Sequence, residues 1–206
     1  MMRKGADEKR LISGWIKEES SLLDLGCGTG QFLSSLISEK NVRAQGIEIN
    51  EEAVQRCLAL GLSVIQQDID VGLSEYGDKS FDYVVLNQTF QQVKKPDFVL
   101  KEALRVGNRV IVGFPNFCYV TDRFQIFFRG RVPVTRSLPY EWYDTPNIHF
   151  LTISDFELFC RSRNIAIERF IGLQSCATGK TVKRFGNLRS QVGIFVITSR
   201  ENLTDA

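Results

Sequence analysis

The chain has 206 residues, 43% of them apolar, a formal net charge of +2 and five cysteines. That length suits one domain with a sizeable core, and the near-balanced charge excludes a nucleic-acid binder that relies on a basic excess. No apolar run approaches the ~20 residues of a membrane span, residues 1–8 lack the apolar core of a signal peptide, and the scattered cysteines read as reduced thiols of a cytoplasmic protein.

Leu11, Ile12, Trp15 and Ile16 recur at helical spacing in 8–17, which predicts an amphipathic helix packed before the first strand, with Trp15 in the core. Next comes Leu22-Leu23-Asp24-Leu25-Gly26-Cys27-Gly28-Thr29-Gly30. An apolar run bounded by glycine reads as a buried strand, and the glycines as a turn that a ligand approaches closely. Phe32, Leu33, Leu36 and Ile37 mark the helix that follows, whose first N–H groups would face the ligand. The dinucleotide fingerprint G-x-G-x-x-G wants a glycine where Gln31 stands. Asp24 would repel a pyrophosphate and suit a ligand carrying an ammonium. The bend therefore favours S-adenosylmethionine (SAM) over NAD, with Asp24, Gly26, Cys27, Gly28 and Gly30 as its residues.

A second strand over 42–49 ends in Glu48 and Ile49. Glu48 lies roughly 20 residues beyond the bend, where a doubly wound fold places an acid for the ribose hydroxyls. Asn50 caps the next helix, whose inner face is Ala53, Val54, Cys57 and Leu58, and Gly61 stops it. A third strand over 62–67 delivers Asp68 and Ile69, suited to the amino group and the face of an adenine ring. After a loop or short helical turn over 72–80, 81–86 reads as a strong fourth strand ending in Asn87 at the switch point of an open sheet.

Pro96 opens a helix with Val99, Leu100, Ala103 and Leu104 inward, and 105–108 reads as a turn into a fifth strand at 109–113. An aromatic, proline-punctuated insertion follows over about 117–150, including Tyr140, Trp142, Tyr143 and the single histidine, His149. Long structured segments in compact domains serve function, so this one is expected to form a lid or a docking surface. Ser154 and Glu157 suggest a capping box. Residues 165–172 and 192–198 read as an antiparallel pair at the sheet edge, with a basic loop between them holding Lys180, Lys183, Arg184 and Arg189. Gly179-Lys180-Thr181 is not a phosphate loop, because Gln174 stands where the first glycine belongs.

Asp24 to Gly30 resembles the first motif of class I SAM-dependent methyltransferases. Together with 46–49, 81–86, 113–116 and especially 129–135 and 138–149 it is similar to the MetW family of methionine biosynthesis, from about residue 11 to about 169. The resemblance implies an α/β, doubly wound, Rossmann-like sheet of seven mostly parallel strands with the last antiparallel, in a single domain over 1–206. It implies SAM or S-adenosylhomocysteine as the bound molecule, and homoserine O-acyltransferase as a protein partner. No metal, nucleic acid or membrane is expected. Two functions of different class follow: methyl transfer to a small molecule, or a non-catalytic SAM-binding partner that docks on and activates the acyltransferase. No residue stands out as a catalyst. Tyr140, Trp142, Tyr143 and His149 are the substrate or partner candidates.

Overall fold

The computed structural model describes residues 6–174, 180–182 and 184–200. Its elements run α1 (Ala6–Trp15), β1 (Ser21–Leu25), α2 (Gln31–Lys40), β2 (Arg43–Glu48), α3 (Glu51–Ala59), β3 (Ser63–Gln66), β4 (Phe81–Asn87), α4 (Pro96–Val106), β5 (Gly107–Pro115), α5 (Val120–Arg129), α6 (Ile153–Ser162), β6 (Ile165–Leu173), β7 (Thr181–Val182), α7 (Gly186–Arg189) and β8 (Val192–Ser199). The strands form one sheet in the order β3-β2-β1-β4-β5-β8-β6-β7. β3, β2, β1, β4 and β5 pair in parallel, whereas β8 runs antiparallel to β5 and to β6. The order reverses between β1 and β4, and that switch point opens a crevice at the carboxyl ends of the strands.

Each face of the sheet has its own core. Ile12, Leu33, Leu36 and Cys57 of α1, α2 and α3 cover one face. Leu100, Ala103, Phe156 and Cys160 of α4 and α6 cover the other, where Phe114, Phe156 and Phe195 meet with ring centroids 4.8–5.7 Å apart. β1, with all but its first residue buried, has the leucine-rich pattern of a strand covered on both sides, broken only by the buried Asp24. Trp15 is half-buried against the first of these cores. At the amino end of the sheet, Asp82 accepts from the N–H and hydroxyl of Ser21, both at 2.8 Å. These bonds, the backbone N–H first, hold its carboxyl below the usual range.

Four details differ from the pattern of the sequence. The sheet has an eighth strand, β7, whose two residues pair with β6 inside the segment that reads as a solvated loop. Lys183 of that loop and Cys176 lie outside the described residues. No turn separates α4 from β5: the helix runs to Val106 and the strand starts at Gly107, where a Cβ would meet Val84 at 2.6 Å. The cap of α6 is not Ser154 with Glu157. Thr152 accepts from the N–H of Asp155 at 3.1 Å and its hydroxyl donates to the Asp155 carboxylate at 2.6 Å. Finally, the aromatic insertion begins as a helix, α5, and becomes irregular only after Gly130.

Candidate functional site

Gly26, Gly28 and Gly30 all have positive φ, so the chain leaves β1 through a bend that L side chains resist. A Cβ on Gly26 would lie 2.5 Å from the Thr89 hydroxyl oxygen; that glycine lets the loop after β4 close onto the bend. A Cβ on Gly30 would run into Leu62 and Cys57, so Gly30 serves packing as the N-cap of α2. Gly28 differs: nothing lies within 4 Å of a Cβ built there. Cys27 is not open to a ligand. Its sulfur packs over Gly46, and burial, with Asp24 nearby, pushes its thiol well up.

Beside the bend lies a crevice of about 380 Å³, within the range of small-ligand sites. Six of the residues expected from the sequence line it: Gly26, Glu48, Ile49, Asp68, Ile69 and Asn87. Glu48 accepts three backbone N–H groups, from Gly28 at 2.8 Å and from Ile49 and Asn50 at 2.9 Å. It therefore pins the bend to the end of β2 while facing the crevice, with about one acceptor position of four left over. Ile49 is 62% exposed at the crevice wall, an apolar surface free to cover a flat ring. Asp68 caps the short 3-10 turn Ile69–Val71 through one oxygen, accepting from Asp70 N–H at 2.9 Å.

Asp24 sits behind the bend, 4% exposed. Among the described residues no donor is hydrogen-bonded to its carboxyl. Burial pushes it up to about 7; Lys9 opposes the shift and Glu48 adds to it. A buried carboxyl without a partner is costly when charged. This is the feature a ligand ammonium would relieve.

Gln88, next to Asn87, is not among the residues expected from the sequence. It has φ 61, a left-handed backbone at a residue that is not glycine. Its N–H donates to Gly113 at 2.7 Å, its side chain donates to Glu8 at 2.9 Å, and its carbonyl accepts from the side chains of Gln91 and Gln92. Such a held strain at a cleft is the pattern of a functional position. Asp70 was also missed. Its carboxylate accepts from the N–H groups of Lys94 and Lys95 at 2.9 and 2.7 Å, which fixes the far wall of the crevice.

The substrate and partner candidates are scattered. Tyr140 lines a second cavity that adjoins the first through Asn87, Gln88 and Gln92. Trp142 and Tyr143 point outward, 70% and 71% exposed. His149 pins the insertion to the loop after β4: its ring nitrogen is 3.0 Å from the Val93 carbonyl, and its N–H and that of Ile148 donate to Gln91.

Three buried carboxyls set a pH dependence. Burial raises Glu8 and Asp24 to about 7 and Asp122 to about 6; the Thr135 and Thr121 hydroxyls lie close enough to Asp122 to oppose its shift, without a well-formed hydrogen bond. Below about pH 4 these groups are protonated in the folded and unfolded chains alike. Between about 4 and 7 the unfolded chain ionises first, so stability falls as pH rises, and above about 7 the loss is complete. Denaturant titrations at pH 5.5 and 8 should show this fall. Asp24→Asn should remove part of it, being more stable than wild type at pH 8 by about 1–3 kcal/mol.

Known proteins share this fold and identify the family. A crystal structure of a SAM-dependent methyltransferase from Thermotoga maritima superposes with a TM-score of 0.67 at 20% identity, covering 94% of this chain and 88% of that one. One from Archaeoglobus fulgidus gives 0.64 at 15% identity, covering 92% and 93%. The fold is thus that of the SAM-dependent methyltransferases. In sequence, the bifunctional methionine biosynthesis protein MetXA/MetW of Rhodopirellula baltica is 36% identical over 171 residues, 79% of this chain. The chain spans only 27% of that relative's length. The family model for the methionine biosynthesis protein MetW matches residues 6–197. With that match running from α1 to β8, the chain belongs to the MetW family.

Proposed function

We propose that the crevice beside the bend binds SAM or S-adenosylhomocysteine, and that the protein acts in methionine biosynthesis by methyl transfer to a small molecule. The observation that supports this most is the crevice that Gly26, Glu48, Ile49, Asp68, Ile69 and Asn87 line together at the end of the bend, with a buried Asp24 carboxyl that no donor among the described residues meets. Asp24 and the bend would hold the ligand's amino-acid end. Glu48 would take the ribose hydroxyls through its spare acceptor position. Ile49 and Ile69 would cover the adenine, and the free oxygen of Asp68 would meet its amino group. Bound there, SAM supplies an electrophilic methyl group; the chain orients it and limits water around it. A place in the cytoplasm fits this reading. No helix of the described residues is long and apolar enough to cross a membrane.

A second reading is favoured by a separate observation. Phe124, Phe127 and Phe128 of α5 are 57%, 81% and 70% exposed, and Trp142 and Tyr143 stand exposed in the same insertion. An aromatic face of this kind suits a protein partner better than solvent. The Rhodopirellula relative is by its name a MetXA and MetW in one chain. In this reading the insertion docks on homoserine O-acyltransferase, and SAM binding tunes that enzyme by favouring the free or the docked form. The two readings separate when the protein is given SAM and cell extract. S-adenosylhomocysteine accumulating in proportion to protein supports transfer; binding without turnover supports the docking role.

A further inference from the structure

The second cavity holds about 270 Å³ and lies between α1, the loop after β4 and the aromatic insertion. Its inner wall is built from acceptors. Glu8 of α1 is 2% exposed. One of its carboxylate oxygens accepts from Gln88, and no donor among the described residues meets the other. Gln91 is also 2% exposed, and its side-chain oxygen has no hydrogen-bond partner. The side-chain oxygen of Asn87 is likewise unpartnered, and it and the Glu8 carboxylate share the space over Gly113. The outer wall has the opposite sign. Lys9 and Arg136 line it, and among the described residues neither has a carboxylate within 4.0 Å.

A purely structural Glu8 would explain the bond to Gln88. It does not explain why a buried carboxylate keeps an oxygen free beside a second unpartnered buried acceptor at a cavity wall. Buried acceptors left unmade are costly, and three on residues that line one cavity call for a ligand with several N–H donors and a positive charge. The two cations at the other wall, neither held in a close ion pair, suit a negative end on the same molecule.

We propose that this cavity is a binding site for a free amino acid. Its ammonium faces Glu8, Gln91 and Asn87, and its carboxylate faces Lys9 and Arg136. The site is separate from the crevice assigned to SAM and adjoins it through Gln88, so the two ligands can be held side by side. The amino acid is then either the methyl acceptor or the small molecule sensed beside SAM. The proposal does not depend on turnover.

The test begins with the common amino acids, screened one by one at millimolar concentration by ligand-observed NMR on the full chain. At least one should bind, and its decarboxylated and deaminated analogues should bind more weakly. Glu8→Gln should weaken the best binder by about tenfold or more, since a charge-assisted hydrogen bond is lost, and Arg136→Ala should weaken it less. Binding should persist with saturating S-adenosylhomocysteine. Absence of any binder would overturn the proposal, as would an unchanged affinity in Glu8→Gln. Complete displacement by S-adenosylhomocysteine would show instead that the cavity receives the nucleoside's own amino-acid end. Failure of S-adenosylhomocysteine to bind at all would count against the function proposed above and leave the amino-acid result standing by itself.

Discussion

Gly28→Val should lose most of its affinity for S-adenosylhomocysteine in a calorimetric titration, by ~10- to 100-fold, while keeping a folded far-UV spectrum. The glycine has φ 57 and open space where a side chain would go. Two effects add. The left-handed backbone costs an L residue roughly 1–2 kcal/mol, which strains the bend. The branched side chain also fills the open space at the bend, and misfit of this kind costs ~1–3 kcal/mol. Gly28→Ala separates them, because alanine shares the backbone strain and fills less of the space; its affinity should fall between the two. Gly26→Ala should behave differently. Its Cβ meets Thr89, not the ligand space, so its first effect should be on stability. Wild-type affinity in Gly28→Val would remove the bend from the site.

If the insertion docks on homoserine O-acyltransferase, the joint substitution Phe127→Asp and Phe128→Asp should abolish capture of that enzyme in a pull-down and leave nucleoside affinity unchanged. These two rings meet edge to face at 4.9 Å, and Phe128 stacks on Phe124 at 5.6 Å, so the helix presents a continuous apolar surface. Exposed aromatic residues at the centre of an interface contribute about 2 kcal/mol or more each. Two carboxylates in their place would also face desolvation, so a weakening of ~100-fold or more is expected. Neither ring is part of the core, and folding should be unaffected. Unchanged capture would place the partner's contact elsewhere on this chain.

The sheet was legible because its central strands are covered on both faces. Residues 22–25 and 83–86 are wholly buried, and apart from Asp24 they read as apolar runs. The bend was legible for a different reason: positive φ at three closely spaced positions strongly favours glycine. What stayed hidden had no local signal. In α5 the apolar side chains face solvent and basic residues interleave with them, so the spacing points to no core. β7 has two residues, too few for a period. The Thr152 cap sits two residues ahead of the Ser154 that the pattern suggested, because its partner is Asp155 and not a glutamate.

The candidate site divides in the same way. Residues at strand ends (Glu48, Asp68, Asn87) could be found by counting from the bend. Glu8 could not, since the fold brings it to Gln88 across 80 positions. Gln88 itself is marked only by its backbone conformation, which glutamine does not announce. The insertion's candidates were grouped by composition, and the structure divides them by direction. Tyr140 turns to a cavity, His149 to the loop after β4, and Trp142 and Tyr143 to solvent.

A crystal structure of the chain with S-adenosylhomocysteine is the most direct measurement. The ribose hydroxyls should lie on the Glu48 carboxylate, the adenine between Ile49 and Ile69, and the ammonium at the bend over Asp24. A nucleoside bound elsewhere, or a crevice that stays empty at saturating ligand, would contradict this placement.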